Sequence, residues 1–143
     1  MILLNQNSSN IVYLTLSESV PNSFTSTTPY FLFRFVSFTT NNEVLFSAQD
    51  ISTAITRYNQ FVITLTGATA PNLNYTGGTI YMEPAGEWTY EVYPMYSPTN
   101  LFLSGTTGTL IEKGIVTLSG TSASTYITQE YTGETKTYGY YQP

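Results

Sequence analysis

Residues 30–38 read YFLFRFVSF, and this stretch decides the fold class of the chain. Side chains of an extended backbone alternate between two faces, so Phe31, Phe33 and Phe35 lie together on one face. The opposite face carries Tyr30, Leu32, Arg34 and Val36. Because both faces are largely apolar, we expect a central strand whose outer face is partly covered.

The same alternation extends outward from this strand in both directions along the chain. Two asparagines within residues 39–42 tolerate a positive φ, so residues 43–48 are expected to return antiparallel to the first strand. Further strands are predicted over residues 2–4, 11–16, 60–66, 79–82, 87–93 and 110–119. Seven or eight short strands separated by turn signals favour an all-β sandwich or barrel.

The alternation also predicts the core. The inward-facing residues are expected to be Val12, Leu14, Leu16, Phe31, Phe33, Phe35, Phe61, Ile63, Leu65, Trp88, Tyr90, Val92, Val116 and Leu118. Trp88 alternates with Tyr90 and Val92, which favours a core aromatic, although a tryptophan face can also serve as a platform for sugars.

Several segments between the strands carry weaker signals. Pro94 is expected either to end its strand or to place it at a sheet edge. Residues 97–109 are predicted to be a loop, with a small strand over residues 101–103. Asp50 can cap a helical turn, but β-branched residues follow it, so residues 50–59 are interpreted as a structured loop.

The pattern fades at residue 120, and we divide the chain into a sandwich at 1–119 and a tyrosine-rich C-terminal arm at 120–143. The arm contains too few aliphatic residues to fold alone, but tyrosine offers a large contact area at low entropic cost. Its candidate contact residues are Tyr126, Ile127, Tyr131, Tyr138, Tyr140 and Tyr141. Residues 124–131 alternatively form one more edge strand.

Composition argues against most kinds of chemistry. The chain of 143 residues contains no histidine and no cysteine, which removes the usual general base, thiol nucleophile and zinc ligands. A net charge of -5 gives no electrostatic footprint for nucleic acid or an anionic membrane. No signal peptide or membrane-spanning stretch is evident, and we expect no cofactor, no metal and no catalytic residue.

The acidic residues are the remaining candidates for chemistry. Glu87 and Glu91 lie four residues apart on one strand, about 13 Å between Cα atoms, which is long for a pair of glycosidase carboxylates. Glu83 lies across a turn from Glu87. We therefore interpret these glutamates as part of a solvated outer face. Calcium needs clustered carboxylates, and the chain has a single aspartate, Asp50, so we expect no calcium site.

Five short segments resemble a known family. They are residues 57–63 (RYNQFVI), 78–80 (GTI), 84–93 (PAGEWTYEVY), 112–116 (EKGIV) and Gly120. Together they resemble a small immunoglobulin-like module in virion proteins of tailed bacteriophages, in which a glycine precedes an aromatic-x-Tyr-x-aliphatic-Tyr strand and a Gly-x-Val strand follows. The resemblance spans residues 11–120. The tyrosine-rich arm and Pro94 depart from it.

The resemblance implies an immunoglobulin-like antiparallel β-sandwich and a non-enzymatic structural protein of a phage particle. The expected role is a capsid auxiliary or decoration subunit, located on the particle exterior or associated with the capsid. Its expected partners are the major capsid protein or other virion subunits, together with copies of itself. The alternative is a host-surface or glycan-binding adhesion module, including a head-fibre or tail component.

Overall fold

The computed structural model describes residues 1–20, 30–53, 57–106 and 108–120. Within these ranges the chain forms eight strands and two short 3-10 turns. The strands are β1 (Ile2–Asn5), β2 (Ser9–Leu14), β3 (Tyr30–Ser37), β4 (Glu43–Ser47), β5 (Asn59–Leu65), β6 (Thr79–Ile80), β7 (Gly86–Met95) and β8 (Glu112–Ser119). Each of these eight strands was predicted, and their ends differ from the predicted ends by at most two residues.

The strands form two sheets that pack as a sandwich. One sheet has five strands in the order β1-β8-β7-β3-β4, and the other has three in the order β2-β5-β6. The expectation of a purely antiparallel sandwich is wrong in one respect, because β1 pairs parallel to β8 and β5 pairs parallel to β6. Alternation predicts which residues lie in strands, but it carries no information on which strand lies beside which.

The strand order is similar in part to that of an immunoglobulin-like fold. In that fold strands C, F and G are neighbours in one sheet, and strand B lies beside strand E in the other. Here β3, β7 and β8 are neighbours in the same way, and β2 lies beside β5. The short β6 occupies the place of strand D, although it follows β5 in the chain.

The core lies between the two sheets. All fourteen residues that alternation places inward are buried. The same hydrophobic cluster also contains Ile2, Leu4, Phe46, Ala48, Ile80 and Met82. Phe33 stacks on Phe46 with ring centroids 5.1 Å apart and meets Phe61 edge-on at 5.0 Å, so aromatic packing joins the sheets.

Of the two outcomes expected at Pro94, the end of the strand is wrong, because β7 continues to Met95 and pairs Pro94 with Phe31. The Val92 carbonyl accepts a hydrogen bond from the Ile111 N–H on the β8 side. Pro94 faces the same side two residues later, beyond the last β7–β8 pair at Glu112. Strand β7 therefore has β8 beside it at Val92 but not at Pro94, in line with the expected alternative of an edge, although Met95 forms an isolated bridge with Thr106. The missing N–H of Pro94 breaks no β7–β8 ladder bond.

The outer face of the five-stranded sheet is covered at one end. Leu32 and Met95 are fully buried although they point away from the main core. Ser47, opposite Leu32, donates a hydrogen bond to the carbonyl of Pro98 at 3.1 Å. The segment after β7 therefore folds back over this end. The small strand expected over residues 101–103 is absent there, and a 3-10 turn begins at Leu103 instead.

Residues 120–143 were assigned to the arm, and all but Gly120 lie outside the described residues. The six predicted contact residues of the arm are therefore not placed.

Candidate interaction surfaces

A strip of charged side chains crosses the outer face of the five-stranded sheet. Arg34 on β3 contacts Glu43 on β4 at 2.6 Å and Glu91 on β7 at 2.9 Å. Lys113 on β8 lies beside Glu91 in the register. Partial burial raises the pKa of Glu91, but hydrogen bonds from Arg34 and Tyr93 outweigh it and leave the pKa below its usual value.

This strip explains where the predicted acidic residues lie. Glu87 and Glu91 share the outer face, as their spacing predicts, and Glu91 accepts its hydrogen bonds from Arg34 and Tyr93. Glu83, in the preceding turn, accepts a hydrogen bond from the hydroxyl of Tyr81. Glu83 and Glu91 are therefore committed to bonds within the fold.

Asp50 belongs to a polar cluster built around the buried Asn59. The Asn59 amide donates to Asp50 at 2.6 Å, and its Oδ1 accepts the backbone N–H groups of Leu16 and Ser17 at 2.9 and 3.1 Å. Burial raises the pKa of Asp50, but hydrogen bonds from Asn59, Ser52 and Gln60 outweigh it and lower the pKa below its ordinary value. The cluster ties the start of β5 to the chain that follows β2.

The Gly-x-Val strand of the sequence has a steric explanation. A Cβ atom at Gly114 would lie 2.7 Å from the ring of Tyr90, so only glycine leaves room for that ring. The Tyr90 hydroxyl donates to Glu112 at 2.8 Å. Burial, and then this hydrogen bond, raise the pKa of Tyr90 well above its usual range.

Trp88, weighed above as a core residue or a sugar platform, is 1% exposed. Its indole N–H donates to the carbonyl of Pro84 at 3.0 Å. The ring therefore offers no face to a ligand, and its polar edge anchors the turn that precedes β7.

An open groove of about 630 Å³ lies at the end of the sandwich where β8 stops. Its polar lining consists of Gln6, Asn7, Thr66, Tyr81 and Glu83. Amide, hydroxyl and phenol groups of this kind can hydrogen-bond or stack on a sugar. Gly120, the last described residue, also lines the groove.

Two other surfaces expose apolar side chains. On the outer face of the five-stranded sheet, Val36, Thr89 and Ile115 lie in one row, and Leu3 pairs with Thr117 in the next row, where the exposed Glu87 borders them. We call the five residues other than Glu87 the uncharged patch, in which Leu3 is 61% and Ile115 42% exposed.

The second surface is the exposed face of β2. Ile11 and Tyr13 are 56% and 59% exposed, and Tyr13 meets Tyr58 edge-on at 5.5 Å. An exposed aromatic pair of this kind suits contact with another surface more than it suits solvent.

Two further kinds of site are absent from the described part of the chain. No group of three or more acidic residues there is arranged to hold a metal ion. The same residues form no helix with the length and apolar character needed to cross a membrane.

Sequence reasoning missed two buried asparagines, Asn10 and Asn59. Each lies in phase with the core residues of its strand, Asn10 with Val12 and Asn59 with Phe61. A polar residue at an inward position of a strand is the signal that points to them, because a buried amide must find hydrogen-bond partners.

Comparison with protein-family models, with curated proteins and with solved structures finds no match to this chain.

Proposed function

We propose that the chain is a non-enzymatic structural subunit of a phage particle. It acts as a capsid auxiliary or decoration protein that binds the capsid lattice or neighbouring copies through its C-terminal arm, residues 120–143. The resemblance of residues 57–63, 84–93 and 112–116 to phage virion modules supports this assignment. The partners that this resemblance implies are the major capsid protein and other virion subunits.

One structural observation carries the proposal: three charged side chains are paired within the sheet while apolar groups face outward. Arg34, Glu43 and Glu91 satisfy one another. The uncharged patch and the exposed face of β2 offer aliphatic, aromatic and hydroxyl groups instead. Such surfaces face little charge repulsion when identical subunits pack side by side, and symmetry multiplies a weak contact into avidity.

The first experiment is to measure the copy number of this chain in purified particles by quantitative mass spectrometry, relative to the major capsid protein. A copy number comparable with that of the capsid protein supports a lattice-bound decoration subunit. A few copies per particle favour a vertex, fibre or tail position. Complete absence from particles overturns the proposal.

The second candidate is a glycan-binding adhesion module, favoured by the groove near Gly120 with its amide, hydroxyl and phenol lining. A glycan array probed with the full chain tests it. Binding that disappears in Tyr81→Ala but persists in Tyr96→Ala, which alters an exposed tyrosine outside the groove, supports the module. An array without any signal counts against it.

A further inference from the structure

The four edge strands of the sandwich differ in how they are protected. An edge strand carries unpaired backbone N–H and C=O groups that can pair with another chain, so proteins usually block them. In the described part of the fold the edges are β1 and β4 of one sheet and β2 and β6 of the other.

Asn10 blocks the edge of β1 at Asn5. The Gln6 N–H donates to Ser119 on the β8 side, so the backbone groups of Asn5 point the opposite way, toward the edge. There the Asn5 N–H donates to Asn10 Oδ1 at 2.8 Å, and its carbonyl accepts from Asn10 Nδ2 at 3.1 Å. One amide side chain thus occupies the place of a neighbouring strand.

Loop residues block β4 and β6. The Ser47 N–H of β4 donates to the carbonyl of Tyr75 at 2.8 Å, and Glu43 adds a charge to the same edge. On β6, the N–H and C=O of Thr79 both bond to the backbone of Asn74, at 3.0 and 2.7 Å. The bonds to Asn74 cap the two-residue β6, whereas β4 is capped at Ser47 and carries a charge at its other end.

The edge of β2 is open. The Leu65 N–H donates to the carbonyl of Ser8 at 2.9 Å, and this bond sets which backbone groups of β2 face β5. The N–H and C=O groups of Asn10 and Val12 face β5, whereas those of Ser9, Ile11 and Tyr13 point away from it, toward the open edge. The outward groups have no backbone partner among the described residues. In the immunoglobulin fold strand A lies at this place beside strand B. Here β1 pairs with β8 in the other sheet, which leaves the place beside β2 unfilled by any described strand.

The sequence of β2, SNIVYL, suits pairing with a second copy of itself. It contains no charged residue and no proline, the two residue kinds that commonly guard edges. In an antiparallel pair with a two-fold axis at Ile11, Ile11 would face the partner's Ile11 and Ser9 would face the partner's Tyr13. All three outward residues of each copy then meet outward residues of the other, and no like charges oppose each other.

We propose that two copies of the chain pair through the outer edges of β2, antiparallel about a two-fold axis at Ile11. The pairing joins two three-stranded sheets into one sheet of six strands. This pairing specifies how copies of the chain associate, and in that respect it rests on the proposed function, which includes self-association. The pairing involves no residue of the arm.

Sedimentation equilibrium of the full chain tests this pairing with two substitutions of one residue. Ile11→Pro removes an outward N–H without removing a β2–β5 bond, because Ile11 does not donate to β5. Ile11→Lys places two like charges opposite each other at the axis. Phe38→Lys is the matched control, since Phe38 is 55% exposed and lies next to β3 in the other sheet.

We expect a reversible dimer whose dissociation constant rises at least about tenfold in both Ile11 variants. The Phe38→Lys dimer should be unchanged, and high salt should partly restore the Ile11→Lys dimer. Circular dichroism and the melting temperature establish that each variant is folded. A full chain that stays monomeric, or a dimer indifferent to both Ile11 variants, overturns the proposal.

Disulfide trapping identifies the occupant of the edge, because the natural chain has no cysteine. Ile11→Cys should cross-link to itself faster than Phe38→Cys, since Cα atoms of a hydrogen-bonded antiparallel pair lie about 5.5 Å apart. If Ile11→Cys instead cross-links preferentially to a Tyr126→Cys chain, the arm occupies the edge and the β2 pairing is wrong. A monomer that still binds particles overturns the pairing and leaves the proposed function intact. A dimer that is absent from particles supports the pairing and overturns the proposed function.

Discussion

Gly114 carries a structural constraint that its neighbours in β8 do not. Gly114→Ala would place a Cβ atom 2.7 Å from the Tyr90 ring, which is buried and held by Glu112. We expect a loss of about 1–3 kcal/mol in the free energy of unfolding, the usual cost of overpacking. Urea denaturation measures it.

Gly67→Ala is the control for that substitution, because nothing lies within 4 Å of a Cβ atom at Gly67. It should change the free energy of unfolding by less than about 0.5 kcal/mol. Equal losses in the two variants would mean that contact with Tyr90 is not the reason glycine is required at Gly114.

Asp50 links the stability of the fold to pH. Its pKa is lowered in the folded chain from an ordinary value of 3.8, so its contribution is present above that value. The contribution is lost as the pH falls through the lower folded pKa. The stability advantage of the natural chain over Asp50→Asn should therefore be largest well above pH 3.8 and shrink as the pH falls below 3.8.

Urea denaturation of both proteins across this pH range measures the difference. Glu87→Gln removes an exposed carboxylate and controls for effects of low pH that do not depend on Asp50. An advantage over Asp50→Asn that does not shrink as the pH falls below 3.8 would contradict the assignment.

At the scale of elements, Asn10 links β1 to β2 and covers the β1 edge at Asn5. Asn10→Ala leaves the N–H and C=O of Asn5 without their amide partner in a partly buried place. We expect a loss of about 1–3 kcal/mol in the free energy of unfolding. Hydrogen exchange of the Asn5 amide should also become faster. Ser9→Ala, at an exposed neighbouring position, should alter both quantities much less.

Strand β7 illustrates why element ends are hard to predict. A proline predicts a strand end or an edge because it lacks an N–H. Strand β8 ends before the position that Pro94 would face. Strand β7 therefore lies between β3 and β8 along most of its length but is paired only with β3 at Pro94. The proline is compatible with β7 because β8 ends before it, and the position of that end is not encoded near Pro94 in the sequence.

At the scale of the whole molecule, every member of the hydrophobic core that the structure describes precedes Gly120 in the chain. A chain that ends at Gly120 should therefore keep a cooperative unfolding transition and a melting temperature close to that of the full chain. If the proposed function holds, it should lose binding to particles. Co-sedimentation with particles tests binding, and calorimetry tests the fold. Undiminished binding by the shortened chain would contradict the role of the arm.

Sequence alone determined the strands and the faces they bury, because side-chain alternation is a property of the local backbone. It therefore placed Phe33, Trp88 and Val116 in the core without knowledge of their neighbours. Tertiary structure decided which strands are neighbours, the parallel pairing of β1 with β8, and which edges are closed by Asn10, Tyr75 and Asn74. These features depend on backbone groups far apart in sequence, whose hydrogen bonds leave no periodic trace along the chain.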